Sequence, residues 1–131
     1  MLKLFESAWM IKFKDEWNKD PYLSKPLNDI NFSSTIAYGF PDETTPRACI
    51  VIENGLAVEA GKYKDQPLNW DLRAKENHWE EWIKREVGTT GLGLAYSTGK
   101  LKFVEGDYKS MIKNPSMTSS FIKSFSAMGR V

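Results

Sequence analysis

One histidine, one cysteine and a scatter of carboxylates are what this chain brings to covalent or acid–base chemistry. A nucleophile activated by histidine needs the imidazole as its base. His78 stands beside Glu76, Glu80 and Glu81 at the start of a helix-like stretch, where polar residues face water. Cys49 lies far from it in sequence, so the pair matches no zinc spacing, and no segment has a calcium-loop pattern. Paired carboxylates could act as acid and base. Asp42-Glu43 falls in a proline-flanked turn and Glu80-Glu81 on a helix surface, where charged side chains are normally solvated. Asp71 is the one carboxylate on a strand-like run that could abstract a proton, which would require burial and a raised pKa. Alternation sets it opposite Trp70 and Leu72, hence outward. The stretch Gly93-Leu94-Ala95-Tyr96-Ser97-Thr98-Gly99-Lys100 matches the first part of a phosphate-binding loop, but Leu101 replaces the required Ser or Thr. Leu101 to Val104 read as a strand, not as the helix whose amides would face phosphate. These residues predict no catalytic centre, no metal site and no cofactor.

Composition narrows the classes further. The chain has 131 residues, 41% hydrophobic and 13% aromatic, which suits one domain, 1–131, with one apolar core. Its formal net charge of +1 lacks the basic excess of a nucleic-acid binder. No apolar run approaches the roughly 18 residues of a membrane span. The first residues carry no basic-then-apolar signal pattern, and Gly129-Arg130-Val131 is no peroxisomal address. A lone cysteine allows no internal disulfide and fits a reducing compartment, so a cytoplasmic location is expected.

The elements that position these residues follow from periodicity. Phe5, Trp9, Phe13 and Trp17 recur every four residues and predict a helix from Leu2 to about Asn18. Pro21 and Pro26 are expected to end it in an extended connection. Four strand-like runs come next: Thr35 to Phe40, Arg47 to Glu53, Leu56 to Gly61, and Trp70 to Lys75. Asn54-Gly55 is the residue pair that a tight hairpin turn demands. Ile36, Tyr38, Phe40, Ile50, Ile52, Val58, Trp70 and Leu72 are assigned to one apolar sheet face, and the other face is expected to be wetter. Asn77 and Glu80 have capping-box spacing for a helix from about His78 to Val87, with Trp79, Trp82, Ile83 and Val87 as its stripe. Gly88 to Gly99 reads as a glycine-rich loop, and Lys100 to Glu105 as a fifth strand. A helix after Gly106-Asp107 carries Tyr108, Met111 and Ile112. Pro115 divides it from a last helix with Met117, Phe121, Phe125 and Met128 on one stripe. Antiparallel strands flanked by amphipathic helices predict an α+β fold.

The passage Gly99-Lys100-Leu101-Lys102-Phe103-Val104-Glu105-Gly106-Asp107 resembles the signature of the sterol-carrier-protein type 2 family, a Gly-Lys-Leu-Lys-like strand, then Gly-Asp or Gly-Asn, then a helix. The order of elements on either side resembles the family over nearly the whole chain. The resemblance implies a five-stranded, mostly antiparallel sheet with helices on one face around an apolar tunnel, and the binding of fatty acids, fatty acyl-CoA, sterols or other lipids. The chain departs from the animal form in lacking the terminal targeting tripeptide and in carrying five tryptophans, which could narrow or refill the tunnel.

For such a tunnel the expected lining is Trp9, Phe40, Ile50, Trp70, Leu72, Trp82, Leu94, Phe103, Phe121 and Phe125. Arg47 and Arg73 are candidate headgroup contacts, because guanidinium grips carboxylate with two hydrogen bonds. Strand alternation puts both arginines on the wet face. The last helix is expected to act as a lid hinged at Pro115, with Ser119, Ser120, Ser124 and Ser126 as its polar face. Three readings remain at this point: a carrier of a lipid or other apolar small molecule, an accessory domain that binds a partner enzyme, and an enzyme using a buried carboxylate.

Overall fold

The computed structural model describes residues 2–85 and 87–131. Phe5, Trp9, Phe13 and Trp17 are all buried, and the last three lie on helix α1 (Ser7–Lys19). The helix starts later than periodicity suggests because Phe5 takes a positive φ of 65°. This left-handed residue breaks the helical path, yet its ring still packs against Trp9, Tyr38 and Trp79.

The prolines do not lead into an extended connection. They open a second helix, α2 (Pro21–Asp29). Asp20 caps it, its carboxylate accepting from the Tyr22 amide at 2.9 Å. Pro21 occupies the first turn, where a missing N–H costs nothing, and Pro26 lies inside. Leu23 and Leu27 are buried by this helix, and that packing outweighs the proline penalty.

Five strands form one sheet: β1 (Ser34–Gly39), β2 (Ala48–Glu53), β3 (Leu56–Lys62), β4 (Trp70–Arg73) and β5 (Lys102–Glu105). The order is β3-β2-β1-β4-β5. β1 and β4 run parallel, and the other pairs are antiparallel. Asn54 and Gly55 turn the β2–β3 hairpin with φ of 49° and 86°. Glycine is required there twice over, since a Cβ at Gly55 would stand 2.5 Å from the Asn28 backbone nitrogen.

A bulge in β3 corrects the face assignment of Val58. Ile52 pairs with Ala57 while Val51 pairs with Glu59, so Val58 is the extra residue. Ala57 turns inward and Val58 is left 47% exposed. The Asn18 side-chain amide holds the bulge by donating to the Ala57 carbonyl and accepting from the Ala57 amide, both at 2.8 Å.

The helices α3 (Glu76–Lys84), α4 (Thr89–Ser97), α5 (Tyr108–Lys113) and α6 (Pro115–Met128) complete the fold. Two further expectations change here. Asn77 is not the cap of α3. The helix begins at Glu76, two residues before the expected His78, with the amides of His78 and Trp79 both bonded to the Lys75 carbonyl. The Gly88–Gly99 stretch is helical rather than a loop, with Gly88 as the cap before α4. Gly93 lets the helix lie close to the Tyr108 hydroxyl, 3.1 Å from where a Cβ would be, and Tyr96 stacks on Tyr108 with ring centroids 4.5 Å apart. The chain that runs from α4 into β5 is therefore not a phosphate-binding loop.

The second sheet face is not wet at β4. Asp71 and Arg73 are each 3% exposed and joined by two bonds, Nε to Oδ1 at 2.6 Å and Nη2 to Oδ2 at 2.9 Å. Arg73 Nη1 also donates to the carbonyls of Phe40 and Glu43, which ties the loop after β1 across this face. Burial pushes the Cys49 thiol pKa up on the same side, where it meets the Gln66 side chain.

Candidate functional site

The helix layer covers the inner face of β1 and β4 with two kinds of surface. Near α1 and α3 it is filled by rings: Tyr38 lies within 6 Å of the Phe5, Phe13 and Trp79 centroids. Near α2, α5 and α6 the filling is incomplete. A cavity of about 20 Å³ is lined by Trp17, Leu27, Phe32, Ile36, Trp70, Met111, Met117 and Phe121.

Each wall has a local cause. Ile36 and Trp70 are register partners on the parallel β1–β4 pair, so their side chains stand side by side on one face. Trp17 is fixed by its indole N–H, which donates to the Gly55 carbonyl at 3.0 Å. Leu27 comes from the proline-opened α2. Trp70 is held by the Gly106-Asp107 turn. Gly106 has φ of +78°, and a Cβ there would strike the Trp70 ring at 2.4 Å. Asp107 then caps α5, accepting from the Ser110 amide at 2.7 Å and hydroxyl at 2.8 Å. Those bonds lower its carboxyl pKa, the bond from the Ser110 amide most. Met111 and Met117 face the cavity from α5 and α6, and methionine is the side chain that reshapes most easily. No lining residue is charged. A space of this size holds about one water-sized probe, and apolar walls give a water nothing to bond.

The residues chosen from sequence fall in several places. Trp70 and Phe121 line the cavity. Ile50 and Leu72 are wholly buried in the sheet face. Trp9 packs on Phe5 and Phe13, while Trp82 and Phe125 pack on each other and on Trp79. Phe103 meets Trp70, Tyr96 and Tyr108. Phe40 is half-buried against Phe5, with the Arg47 guanidinium 5.1 Å above its ring. Leu94 is 61% exposed and borders a surface groove between α3 and α4. Both arginines are already engaged, Arg73 with Asp71 and Arg47 with Glu43 in a two-bond pair at 2.6 and 2.7 Å. That pair lowers the Glu43 carboxyl pKa, chiefly through the hydrogen bond from Arg47.

The serines expected on an outer face of α6 also divide. Ser120 and Ser124 are buried, and Ser120 donates to the Leu23 carbonyl at 2.8 Å. Sequence reading missed Trp17, Leu27, Phe32, Ile36, Met111 and Met117 as cavity walls. All but Leu27 and Phe32 were visible as members of helix stripes or the apolar sheet face.

No protein-family model and no curated protein sequence matches the chain. Solved structures do. A crystal structure of sterol carrier protein 2 superposes with a TM-score of 0.77 at 15% identity, over 98% of this chain and 99% of that one. A Thermus thermophilus protein described as possibly a sterol carrier protein gives 0.67 at 16% identity, over 98% and 91%. A ubiquinone synthesis protein, UbiJ-SCP2, gives 0.58 at 10% identity, over 86% and 88%. The chain has the fold of sterol carrier protein 2.

Proposed function

We propose that this chain binds an apolar molecule, such as a fatty acid, fatty acyl-CoA, sterol or other lipid, in the space between the sheet and α2, α5 and α6. The fold supports a lipid-binding domain in general terms, since one similar structure is described as sterol carrier protein 2 and another as possibly a sterol carrier protein. Fold alone is a weak guide to function, so the observation that carries the reading is the cavity. None of its lining residues is charged, it abuts the short helix α5, and two of its walls are methionines. A ligand would widen it into a tunnel by shifting α5 and α6 away from Trp70 and Ile36. Each buried methylene gains about 0.8 kcal/mol, so ten give roughly 8 kcal/mol toward that rearrangement.

The lid is therefore a moving part of the core rather than a flap. Deleting α6 would remove buried Phe121, Phe125 and Met128 and is not a clean test. Chemistry has no place in this reading, because Asp71, the strand carboxylate, is held by Arg73. We place the chain in the cytoplasm on the same reading; among the described residues no helix is long and apolar enough to cross a membrane.

The test is mass spectrometry of the purified protein, under native conditions and after organic extraction. Near-stoichiometric lipid, or uptake of a fluorescent fatty acid by the empty protein, is the expected result. An empty protein that takes up no such probe overturns the carrier reading. A second reading is favoured by one feature, a surface groove along α4, α5 and α6 lined in part by Tyr108, Ile112, Pro115 and Ile122. It would seat a partner enzyme, making the chain an accessory domain. A pull-down that loses its partner on Ile112→Glu, with lipid uptake intact, would favour it.

A further inference from the structure

The groove along α4, α5 and α6 differs in charge from two other grooves of the fold. The one between α3 and α4 contains Glu81, and the one beside Cys49 contains Glu59. This one, of about 550 Å³, is lined by no carboxylate and is bordered by Lys123. Helices α5 and α6, which form two of its sides, carry Lys109, Lys113 and Lys123 and no acidic residue. Asp107, the acid next to α5 in sequence, is occupied in capping that helix through Ser110. The bias extends beyond the groove. Residues 87–131 hold six lysines and arginines against two carboxylates, whereas residues 1–86 hold twelve against fifteen.

Shape and lining fit a protein helix. Ile112 is 40% exposed on α5, in the stretch between Lys109 and Lys113. Pro115, Ser119 and Ile122 line the groove one turn apart along α6. An amphipathic helix laid in a groove is gripped through apolar positions that recur at that spacing. Thr118 and Ser119 stand among Tyr108, Ile112 and Ile122, and such a mixed lining is normal for protein–protein interfaces. A bilayer takes up an apolar face that stands out from the surface, not one sunk between helices.

We propose that the groove seats an amphipathic helix of a partner protein, with acidic residues flanking the apolar stripe of that helix. This rests on the accessory reading above and names the partner's chemistry. Carboxylates beside the stripe meet Lys109 and Lys113 at the rim, where opposite charges speed encounter and exclude basic competitors. The cavity walls Met111, Met117 and Phe121 belong to α5 and α6 as well, so the docked helix lies against the two helices that a ligand would displace.

The test uses three labelled synthetic helices of about 18 residues, long enough to hold helix alone. One has a leucine stripe flanked by glutamate. The second has the same stripe flanked by lysine, and the third keeps the glutamates but has serine in the stripe. Fluorescence anisotropy is expected to show wild type binding the first at least about tenfold more tightly than the other two, with a margin over the second that shrinks as salt rises. In the double variant Lys109→Glu/Lys113→Glu the preference should reverse toward the lysine-flanked helix. Ile112→Glu should abolish binding of the first helix. All three residues are exposed, so the melting temperatures should stay at that of wild type. Equal affinity for the first two helices, or no binding of the first, overturns the proposal. Failure of all three, together with sedimentation on phosphatidylglycerol vesicles that Ile112→Glu abolishes, gives the groove to a bilayer instead. The accessory reading fails separately, when the pull-down partner survives Ile112→Glu. It stands without the acidic helix if that partner is lost while the flanking charge of the synthetic helices makes no difference.

Discussion

The aromatic end and the methionine end of the helix layer rest on the same sheet yet are built differently. At the aromatic end, Phe5, Trp9, Phe13, Tyr38 and Trp79 pack edge to face and stacked, with centroids between 5.3 and 5.9 Å. Rigid rings with two rotatable bonds hold one arrangement. At the other end, Met111 and Met117 come from two helices joined at Asn114, and a cavity remains between them and Trp70. The first end is filled by rings, and on the function proposed above the second is where the layer parts around a ligand.

The most damaging change should be Phe13→Ala. It empties space around a residue that is wholly buried and touches Trp9, Trp17 and Tyr38. The expected loss is about 3–5 kcal/mol in urea melts. If the loss were instead below about 1 kcal/mol, well under the usual cost of emptying a core site, the aromatic end would not be the rigid one and the contrast would fail.

That end was also the part most open to sequence reading. A period of four over Phe5, Trp9, Phe13 and Trp17 is a local signal. At the methionine end Trp70 and Phe121 were legible, but Leu27 and Phe32 were not, because their placement depends on distant partners. Pro21 and Pro26 argue locally against α2, and only the burial of Leu23 and Leu27 makes that helix hold. The β3 bulge needs Asn18, 39 residues away, so no alternation count could show that Ala57 and not Val58 faces in. Alternation placed Asp71 and Arg73 on the correct face but could not say that the loop after β1 covers it.

Asn18→Ala should come next in size. It leaves both backbone groups of Ala57 without their partner and frees the helix end that carries Trp17. The expected cost is about 1–3 kcal/mol. Trp17 is a cavity wall tied to the hairpin, so ligand affinity should fall with stability. Loss of stability with affinity preserved would mean that the cavity needs no fixed wall.

Met117→Ala separates the two ends more cleanly. Met117 is half-buried, so its truncation should cost only about 1–2 kcal/mol, the low end of large-to-small changes. It also enlarges the cavity and removes a side chain that a ligand would have to displace. Affinity for a fluorescent fatty acid is expected to rise several-fold while the melting temperature falls. A fall in both would mark Met117 as ordinary core and place the opening elsewhere.

The smallest effect concerns pH and serves as a control on both ends. Neither the cavity nor the aromatic cluster holds a carboxylate or an amine, whereas the Glu43–Arg47 pair lies outside them on the surface. Arg47 lowers the Glu43 pKa below its ordinary 4.5, so the folded state binds that proton less readily than the unfolded one. The stabilisation is present above that ordinary value and disappears as pH falls through the lowered one. The pair is largely exposed, so it contributes a few tenths of a kcal/mol at most. Glu43→Gln should flatten the acid side of the melting curve slightly. Affinity for an uncharged ligand should stay constant between about pH 5 and 8, since none of the residues lining the cavity is ionisable there. A steep change in affinity across that range would mean that an ionisable side chain reaches the ligand, and the division into a fixed end and an opening end would have to include it.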